Sequence, residues 1–420
     1  MLLKESLQNG VTLVAEHVPH VRSVSVGVFV KQGSRDEPEK FSGLSHFIEH
    51  LLFKGTKNRN AKDIAVALDM IGGYCDAFTS REYTGVFVQA SDFHIETVFE
   101  LLSDILHNSL FDDNDVQKEK RVILEEIKMC EDLPDEFLYD LFFKVVWKGH
   151  LLGNPIQGTV KSVNNIKSKT IKEMFPGLYR PSQIILAVAG SFNKKKLIDF
   201  SNRYFCFDNV RDVKKNNSPS RKKPQYTPDI FIKRKSLEQA HFCLGFPGVS
   251  QTSEMRFAKY LLNLILGGSI SSRLFQKIRE DRGLAYNIYS FYSSFTDTGI
   301  FGVYAGASPD NIEEIVKLVM DELEDIAVKG VKDKELKIAK EHLKGNYLLS
   351  LESMNSRMTK LAKQELYFGK FSDIDEIMKN IDAVTIEDIK RFVSAVYRKD
   401  KLSLAGLGPI KRNIRREMFL

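Results

Sequence analysis

Two histidines and a glutamate near the N-terminus form the pattern with the clearest chemistry, His46-Phe-Ile-Glu49-His50. On an α-helix, residues four apart project from one face, so the two imidazoles could bind one metal ion. Imidazole nitrogen suits zinc, and zinc lowers the pKa of a bound water. Glu49 directly precedes the second histidine, where its carboxylate could take a proton from that water. This stretch therefore predicts a zinc site with a general base beside it.

The alternative is a pair of surface histidines on an amphipathic helix. Apolar residues flank the stretch on both sides, at Leu44 and over residues 51–53, and they favour a helix with a buried face. Histidines and a glutamate that are buried need polar partners. A metal ion would supply one, so we favour the metal site.

A catalytic zinc site needs a third protein ligand and an open position for water. A helix predicted over residues 113–131 offers three candidates, Glu119, Glu125 and Glu126. Glu119 and Glu126 are about two helical turns apart and share a face. Glu125 points elsewhere and is expected in solvent. The spacing leaves Glu119 and Glu126 open as the third ligand.

The elements that carry these residues mix two periodicities. Residues 23–30 alternate with valine at every second position, which predicts a strand. Helical spacing covers residues 43–53 and 62–71. The other predicted elements of this half are a strand region over 74–90 and helices over 94–108, 113–131 and 135–148. Helices that follow runs of strands indicate the α+β class, with antiparallel-rich sheets backed by helices.

The two halves of the chain resemble each other. Residues 91–105 and 308–322 begin matching amphipathic helices, and Tyr179-Arg180 matches Tyr397-Arg398 at nearly the same offset. A near-constant offset indicates an internal duplication. We therefore predict two homologous domains, a metal-bearing domain over 1–209 and a second domain over 230–420.

The second half lacks the metal pattern. Its counterpart of the histidine helix falls over residues 256–265, which contain no histidine. His342 falls at the position of Glu126 and is expected to be a surface histidine. We expect the second domain to supply substrate contacts without a metal.

Residues 210–229 separate the halves as a basic linker with almost no large apolar residue. A nucleic-acid patch is one interpretation of its lysines and arginines. A solvated tether is favoured, because no aromatic side chains are interleaved to stack on bases. We therefore expect no nucleic-acid partner.

Composition excludes several other classes. The 420 residues are 43% hydrophobic and 28% charged, with a net charge of +6, as in ordinary globular proteins. The four cysteines are widely spaced, which argues against a disulfide framework or a cysteine zinc site. No apolar run is long enough to span a bilayer, and no leader pattern is visible at Met1. We expect a cytoplasmic, bacterial-type protein, or a mitochondrial matrix protein if a leader was removed.

Several longer motifs match a known family. They lie over residues 43–56, 77–83, 122–127, 152–159 and 272–286. With the order H-x-x-E-H, typical of inverzincins, they make the chain resemble the M16 peptidases along its whole length. The resemblance is greatest to the short two-domain branch, which includes the beta subunit of mitochondrial processing peptidase and its bacterial relatives.

This resemblance implies roles for individual residues. Glu126 would be the third zinc ligand, Glu49 the general base, and Glu119 the additional glutamate that orients a histidine. Arg279 and Tyr286 match the family's pair that holds the substrate backbone and stabilises the oxyanion. Without the resemblance, Arg279 would be interpreted as a surface ion pair and Tyr286 as a core aromatic.

The resemblance also implies substrate contacts. An extended peptide would add to an edge strand by backbone hydrogen bonds; the strand comprises Tyr74, Cys75, Asp76, Ala77, Phe78 and Thr79. Glu136 and Asp140 match the acidic residues that hold an arginine just upstream of the cut. A solvated acidic face is the alternative for this pair.

Together these features predict a zinc endopeptidase with one Zn²⁺ per chain that cuts unfolded or presequence-like peptides near a basic residue. The branch builds its chamber from two chains, so we expect a homodimer, or a heterodimer with an inactive paralogue. The alternative function is a non-catalytic structural subunit of a larger complex.

Overall fold

The computed structural model describes residues 1–205 and 221–410. Most of the predicted linker, residues 210–220, and Cys206 lie outside this part of the chain, so the domain boundaries stay a prediction. The three cysteines that are described, Cys75, Cys130 and Cys243, are not joined in disulfides. Among the described residues, no helix has both the length and the apolar character needed to cross a membrane.

Eleven strands and fourteen α-helices make up the described chain. The strands are β1 (Leu2–Ser6), β2 (Thr12–His17), β3 (Ser23–Val30), β4 (Tyr74–Thr79), β5 (Thr84–Ser91), β6 (Ile184–Gly190), β7 (Ile230–Arg234), β8 (Ala240–Gly248), β9 (Ala285–Ser294), β10 (Gly299–Ala307) and β11 (Ser403–Gly408). The helices are α1 (Leu44–Leu51), α2 (Ala61–Met70), α3 (Ile95–Asn108), α4 (Asp113–Asp132), α5 (Pro134–Val146), α6 (Val160–Asn165), α7 (Ser168–Leu178), α8 (Lys194–Phe205), α9 (Arg256–Leu266), α10 (Ile312–Lys329), α11 (Asp333–Ser350), α12 (Met354–Phe368), α13 (Ile374–Ala383) and α14 (Ile386–Val396).

The strand region predicted over 74–90 is a hairpin rather than one strand. The Ser80 main-chain N–H and hydroxyl both donate to the Tyr83 carbonyl, at 2.9 and 2.8 Å, and these bonds close the turn between β4 and β5. Arg81 and Glu82 form its tip. The turn leaves β4 at the edge of the sheet, since β4 pairs with β5 alone among the described strands.

The chain forms two compact units, and each has one sheet. The first sheet has the order β1-β2-β6-β3-β5-β4, and the second has the order β7-β11-β8-β10-β9. Apart from the extra edge strand β1, the two orders are equivalent strand for strand. Each sheet contains one parallel pair, β2 with β6 and β7 with β11, and the other pairs are antiparallel. The α+β class and the duplicated antiparallel-rich sheets are therefore confirmed.

Neither unit is a continuous stretch of chain. The first consists of Met1–Lys128, Asn154–Arg221 and Ser350–Phe371, and the second of Met129–Gly153, Lys222–Leu349 and Ser372–Leu420. Helix α12, from the second half of the sequence, therefore packs on the first sheet. Helix α5, from the first half, packs on the second sheet.

Equivalent glycines allow both of these helices to approach their sheets closely. A Cβ added at Gly27 in β3 would lie 2.6 Å from the Met358 sulfur of α12. A Cβ added at Gly245 in β8 would lie 2.7 Å from the Phe142 ring of α5. Met358 and Phe142 are both fully buried. The opposite face of each sheet is covered by helices of its own half, among them α1 in the first unit and α9 in the second.

Candidate metal centre

Helix α1 carries the histidine pattern, and its N-terminus is held by a buried carboxylate. The residue before the helix, Gly43, has no side chain that could cap it. Glu37 performs this role, because its carboxylate accepts hydrogen bonds from the main-chain N–H groups of Gly43 and Ser45, both at 2.6 Å. Burial raises the pKa of Glu37 to about 8, against the opposing effect of these donors. No sequence pattern predicts this role of Glu37, because the contact depends on the path of the loop before α1.

The three predicted metal ligands lie together. Nε2 of His46 is 3.8 Å and Nε2 of His50 is 3.5 Å from Oε2 of Glu126 on α4. One ligand atom from each residue falls within 4.8 Å of the other two, and among the described residues no other group of this kind occurs. Two imidazoles and one carboxylate are the donor set of many catalytic zinc sites.

The orientation of His50 is set by Glu119, the other candidate on the same face of α4. Glu119 Oε2 lies 3.3 Å from His50 Nδ1, and Glu119 Oε1 lies 2.9 Å from the Lys54 ammonium. A proton on Nδ1 directed at Glu119 leaves the Nε2 lone pair facing Glu126. Glu125 faces away and is two-thirds exposed, as its spacing predicted, and it pairs with Lys128 at 2.7 Å.

The protonation state of His46 also fits a metal. Burial, and then the neighbouring His50, lower the pKa of His46 to about 4. The imidazole is therefore neutral, the form that binds metal, at neutral pH. Its Nδ1 is buried without a hydrogen-bond partner among the described residues. The residues present thus fit zinc in geometry, donor type and charge.

Glu49 lies on α1 next to these ligands and is held by strand β4. Its Oε2 accepts a hydrogen bond from the Thr79 hydroxyl at 2.6 Å. Burial raises the pKa of Glu49, and the Thr79 hydrogen bond opposes this effect. Burial, and then the charge of Glu49, raise the pKa of the Tyr179 phenol, so this phenol lies within electrostatic range of the carboxylate. The sequence identified neither contact.

A cleft of about 450 Å³ opens beside Glu49 and His50. Most of its other lining residues are apolar, and they come from the end of α1, from α2 and from β4: Phe53, Ala61, Ile64, Ala65, Leu68, Cys75, Asp76 and Ala77. Strand β4, at the edge of the sheet, therefore lines the same cleft as Glu49. Of the predicted substrate residues on β4, Phe78 instead packs against Phe29 and Tyr83 in the core.

Arg279 and Tyr286 belong to the second unit and lie side by side there. Arg279 is on a π-helical turn over Phe275–Glu280, and its guanidinium lies 4.7 Å from the Phe275 ring and 5.3 Å from the Tyr286 ring. Tyr286 is the extra residue of a β-bulge, since Ala285 and Asn287 pair with consecutive residues of β10. Its side chain is 75% exposed, so it is not a core aromatic. π-Helical turns and bulges are both frequent at functional sites.

The predicted acidic pair lies on α5, also in the second unit. Glu136 is exposed, and Asp140, one turn further along, is half-buried. His342 is exposed on α11, as expected for a surface histidine.

Comparisons with known proteins agree with this geometry. Residues 12–160 match the family described as "Insulinase (Peptidase family M16)", and residues 165–343 match the "Peptidase M16 inactive domain". An uncharacterized zinc protease of Bacillus subtilis is 37% identical over 409 residues, which cover 97% of this chain and 98% of that protein. One from Streptomyces coelicolor is 36% identical over 424 residues, covering 97% and 90%.

Solved structures show the same fold. A protease from Helicobacter pylori has a TM-score of 0.91 at 22% identity and covers 97% of this chain and 100% of its own. A chain of complex III2 from Candida albicans has a TM-score of 0.84 at 21% identity, with 99% of each chain covered. At these identities the likeness concerns the fold alone. The motifs, the duplicated sheets and the relatives agree, and the chain belongs to the M16 peptidase family.

Proposed function

We propose that this protein is a zinc endopeptidase that cleaves extended peptides. The observation that carries the proposal is the cluster of His46, His50 and Glu126, with the Glu49 carboxylate beside it on the same cleft. The zinc protease names of the bacterial relatives support the same activity. We propose one zinc ion per chain, because the described residues contain a single group of three ligands.

His46, His50 and Glu126 would hold the zinc ion, and Glu119 would fix the orientation of His50. Bound zinc would supply Lewis acidity, which polarises the scissile carbonyl and lowers the pKa of water. Glu49 would take a proton from the attacking water and deliver it to the nitrogen of the leaving amine. Its raised pKa suits a group that must both accept and release this proton.

Strand β4 would bind the peptide backbone. Its free edge offers main-chain donors and acceptors, so an extended peptide could pair with it as a further antiparallel or parallel strand. The apolar lining of the adjacent cleft suits an apolar side chain of that peptide. Backbone pairing gives affinity with little sequence preference, so selectivity would come from side-chain pockets.

Arg279 and Tyr286 are proposed to contact the substrate backbone and the oxyanion. Support comes from the exposure of Tyr286 and from the stacking of the Arg279 guanidinium against two aromatic rings, which orders a positive charge at the surface of the second unit. The family resemblance supplies the role.

A preference for a basic residue near the cut is proposed for Glu136 and Asp140. An arginine held by charge-assisted hydrogen bonds would be favoured over glutamine by about 10- to 100-fold in kcat/KM. Glu136→Gln with Asp140→Asn should reduce this ratio toward one. The same charge change at Asp375 and Glu376, exposed acids on α13, is the matched control and should leave the ratio unchanged.

The assembly is proposed to be a homodimer, with a heterodimer containing an inactive paralogue as the alternative. Sedimentation of the purified chain alone distinguishes them. A structural subunit is the alternative function. The fold shared with the complex III2 chain does not favour it, because the residues proposed as metal ligands and as general base are all present here.

The deciding experiment is digestion of a long, unstructured, arginine-containing peptide by the zinc-loaded protein, with cut sites found by mass spectrometry. Cleavage should disappear with Glu49→Gln and with a zinc chelator. Glu125→Gln makes the same change on the exposed face of α4 and should leave cleavage intact. Absence of cleavage by a zinc-loaded dimer would reject the proposal in favour of a partner-dependent or structural role.

A further inference from the structure

The Thr79 side chain makes a contact that backbone binding of a peptide does not require. Thr79 is the last residue of β4, and its hydroxyl donates to Oε2 of Glu49 at 2.6 Å. This length lies in the range of charge-assisted O–H···O⁻ bonds, shorter than bonds between neutral groups. The contact therefore constrains one oxygen of the carboxylate and leaves the other for proton transfer.

The backbone that carries Thr79 is rigidly held. The hairpin tip that follows it is fixed by hydrogen bonds from the N–H groups of Ser34 and Arg35 to the carbonyls of Ser80 and Arg81, at 3.1 and 3.0 Å. An ion pair between Arg35 and Glu82, at 2.6 Å and 1% exposed on both sides, reinforces this anchor. Thr79 is also β-branched, so its χ1 angle has few alternatives.

The Thr79 hydroxyl makes the one hydrogen bond to the Glu49 carboxylate that the described residues show. The side chain of Glu49 has three rotatable bonds, and Glu49 lines an open cleft. Without the Thr79 hydroxyl, the carboxylate would sample rotamers in which neither oxygen faces the attacking water. Misplacement of a catalytic group by about 1 Å is enough to slow a reaction by roughly 100-fold.

We propose that Thr79 is a positioning residue whose hydroxyl fixes the Glu49 carboxylate for proton transfer. The inference rests on the proposed function, since it assigns Glu49 as the general base. It separates two roles within β4: the main chain pairs with substrate, and the last side chain orders the base.

The test compares three variants in the zinc-loaded protein. Thr79→Val removes the hydroxyl and keeps the shape, and should lower kcat by about 10- to 100-fold with KM nearly unchanged. Thr79→Ser keeps the hydroxyl and should restore most of kcat. Thr84→Val is the matched control: Thr84 lies directly opposite Thr79 in the hairpin, but its hydroxyl donates to the Gln32 carbonyl at 3.0 Å. It should leave kcat within about twofold.

Two readouts do not depend on turnover. Zinc content and zinc affinity of Thr79→Val should equal those of the unchanged protein, because the ligands are untouched. A high-resolution crystal structure of Thr79→Val should show Glu49 displaced or in several rotamers, whereas the Thr84→Val structure should show it in place.

Each outcome bears on the proposal. A Thr79→Val protein with full kcat, a Thr79→Ser protein as slow as Thr79→Val, or a rise in KM alone would overturn the positioning role. If the unchanged protein cleaves nothing, the proposed function fails. The crystal structures then test the positioning role separately. If Glu49 keeps its position and a single rotamer in Thr79→Val, the positioning role is rejected.

Discussion

The helix–strand pair α1 and β4 in the first unit and its counterpart α9 and β9 in the second occupy equivalent places in the two sheets. Both helices bury one apolar face. On α1 this face includes Phe47, Ile48 and Leu51, and on α9 it includes Leu261, Leu262 and Ile265. Superposing these patterns puts Tyr260, Asn263 and Leu264 where His46, Glu49 and His50 lie. The scaffold is shared, and the one group of three possible metal ligands found among the described residues lies in the first copy.

The hydrogen bonds between the edge strand and the helix also differ between the two units. In the first unit, the Thr79 hydroxyl binds the Glu49 carboxylate beside an open cleft. In the second, the Ser290 hydroxyl binds the Asn263 main-chain carbonyl at 2.9 Å, and Ser294 accepts a hydrogen bond from the Lys259 ammonium at 2.7 Å. Lys259 is fully buried, with its ammonium 4.5 Å from the rings of Tyr260 and Tyr292. In the second copy these polar groups hold the helix and the strand together. The same fold can therefore be present with or without a group of possible metal ligands.

The largest expected effect is the loss of metal from the first unit. His46→Ala should lower zinc affinity by more than about 100-fold. Loss of a residue that only hydrogen-bonds to a metal ligand already lowers metal affinity by about 10- to 100-fold. His342→Ala, on the exposed face of α11, is the matched control and should bind zinc normally. Isothermal titration with zinc measures both, and equal affinities would contradict the assignment of one metal-bearing unit.

Helices α5 and α12, each of which packs on the sheet of the other sequence half, should contribute similarly to the stability of the unit that they join. Phe142→Ala on α5 should lower the free energy of unfolding by about 3–5 kcal/mol, and Met358→Ala on α12 by about 2–5 kcal/mol, since both side chains are fully buried. Urea denaturation followed by circular dichroism measures the change. A loss below about 1 kcal/mol at either site would show that the helix is peripheral to that unit.

The buried lysine should give the second unit a pH dependence. Burial, and then Arg256, lower the folded-state pKa of Lys259 to about 7, whereas an unfolded lysine titrates near 10.4. The unfolded chain therefore binds more protons above pH 7, and stability should rise by about 2 kcal/mol between pH 7 and pH 9. Lys259→Met should remove this rise, as urea denaturation at each pH would show. An identical slope in both proteins would contradict the shifted pKa.

The smallest effect on zinc binding is expected for Lys54, which forms an ion pair with Glu119. Lys54 is 39% exposed, so its ion pair with Glu119 contributes little, and Lys54→Met should weaken zinc binding only severalfold. Lys128→Met removes a similar ion pair to Glu125 on the exposed face of the same helix and should change nothing. Competition with a fluorescent zinc chelator resolves differences of this size. A loss as large as that of His46→Ala would show that Lys54 is essential to the site.

Local features of the site were readable from the sequence. The i, i+4 spacing of His46 and His50 puts both imidazoles on one face of α1, and the spacing on α4 puts Glu119 and Glu126 together. The same periodicities identified the strand β3 and the helices α1 to α5 near their observed bounds, and the repeated helices indicated the duplication. These inferences succeed because helix and strand geometry depend on neighbouring residues.

Other features required the tertiary structure, because they join residues that are distant in sequence. Which glutamate on α4 meets the histidines depends on how α4 packs against α1. The contacts of Glu37 with the start of α1 and of Thr79 with Glu49 depend on the paths of a loop and a hairpin. The exchange of α5 and α12 between the sheets was not among the predictions from the sequence, because long-range packing selects it. Spacing along the chain thus specified which residues could act, and packing determined which of them meet.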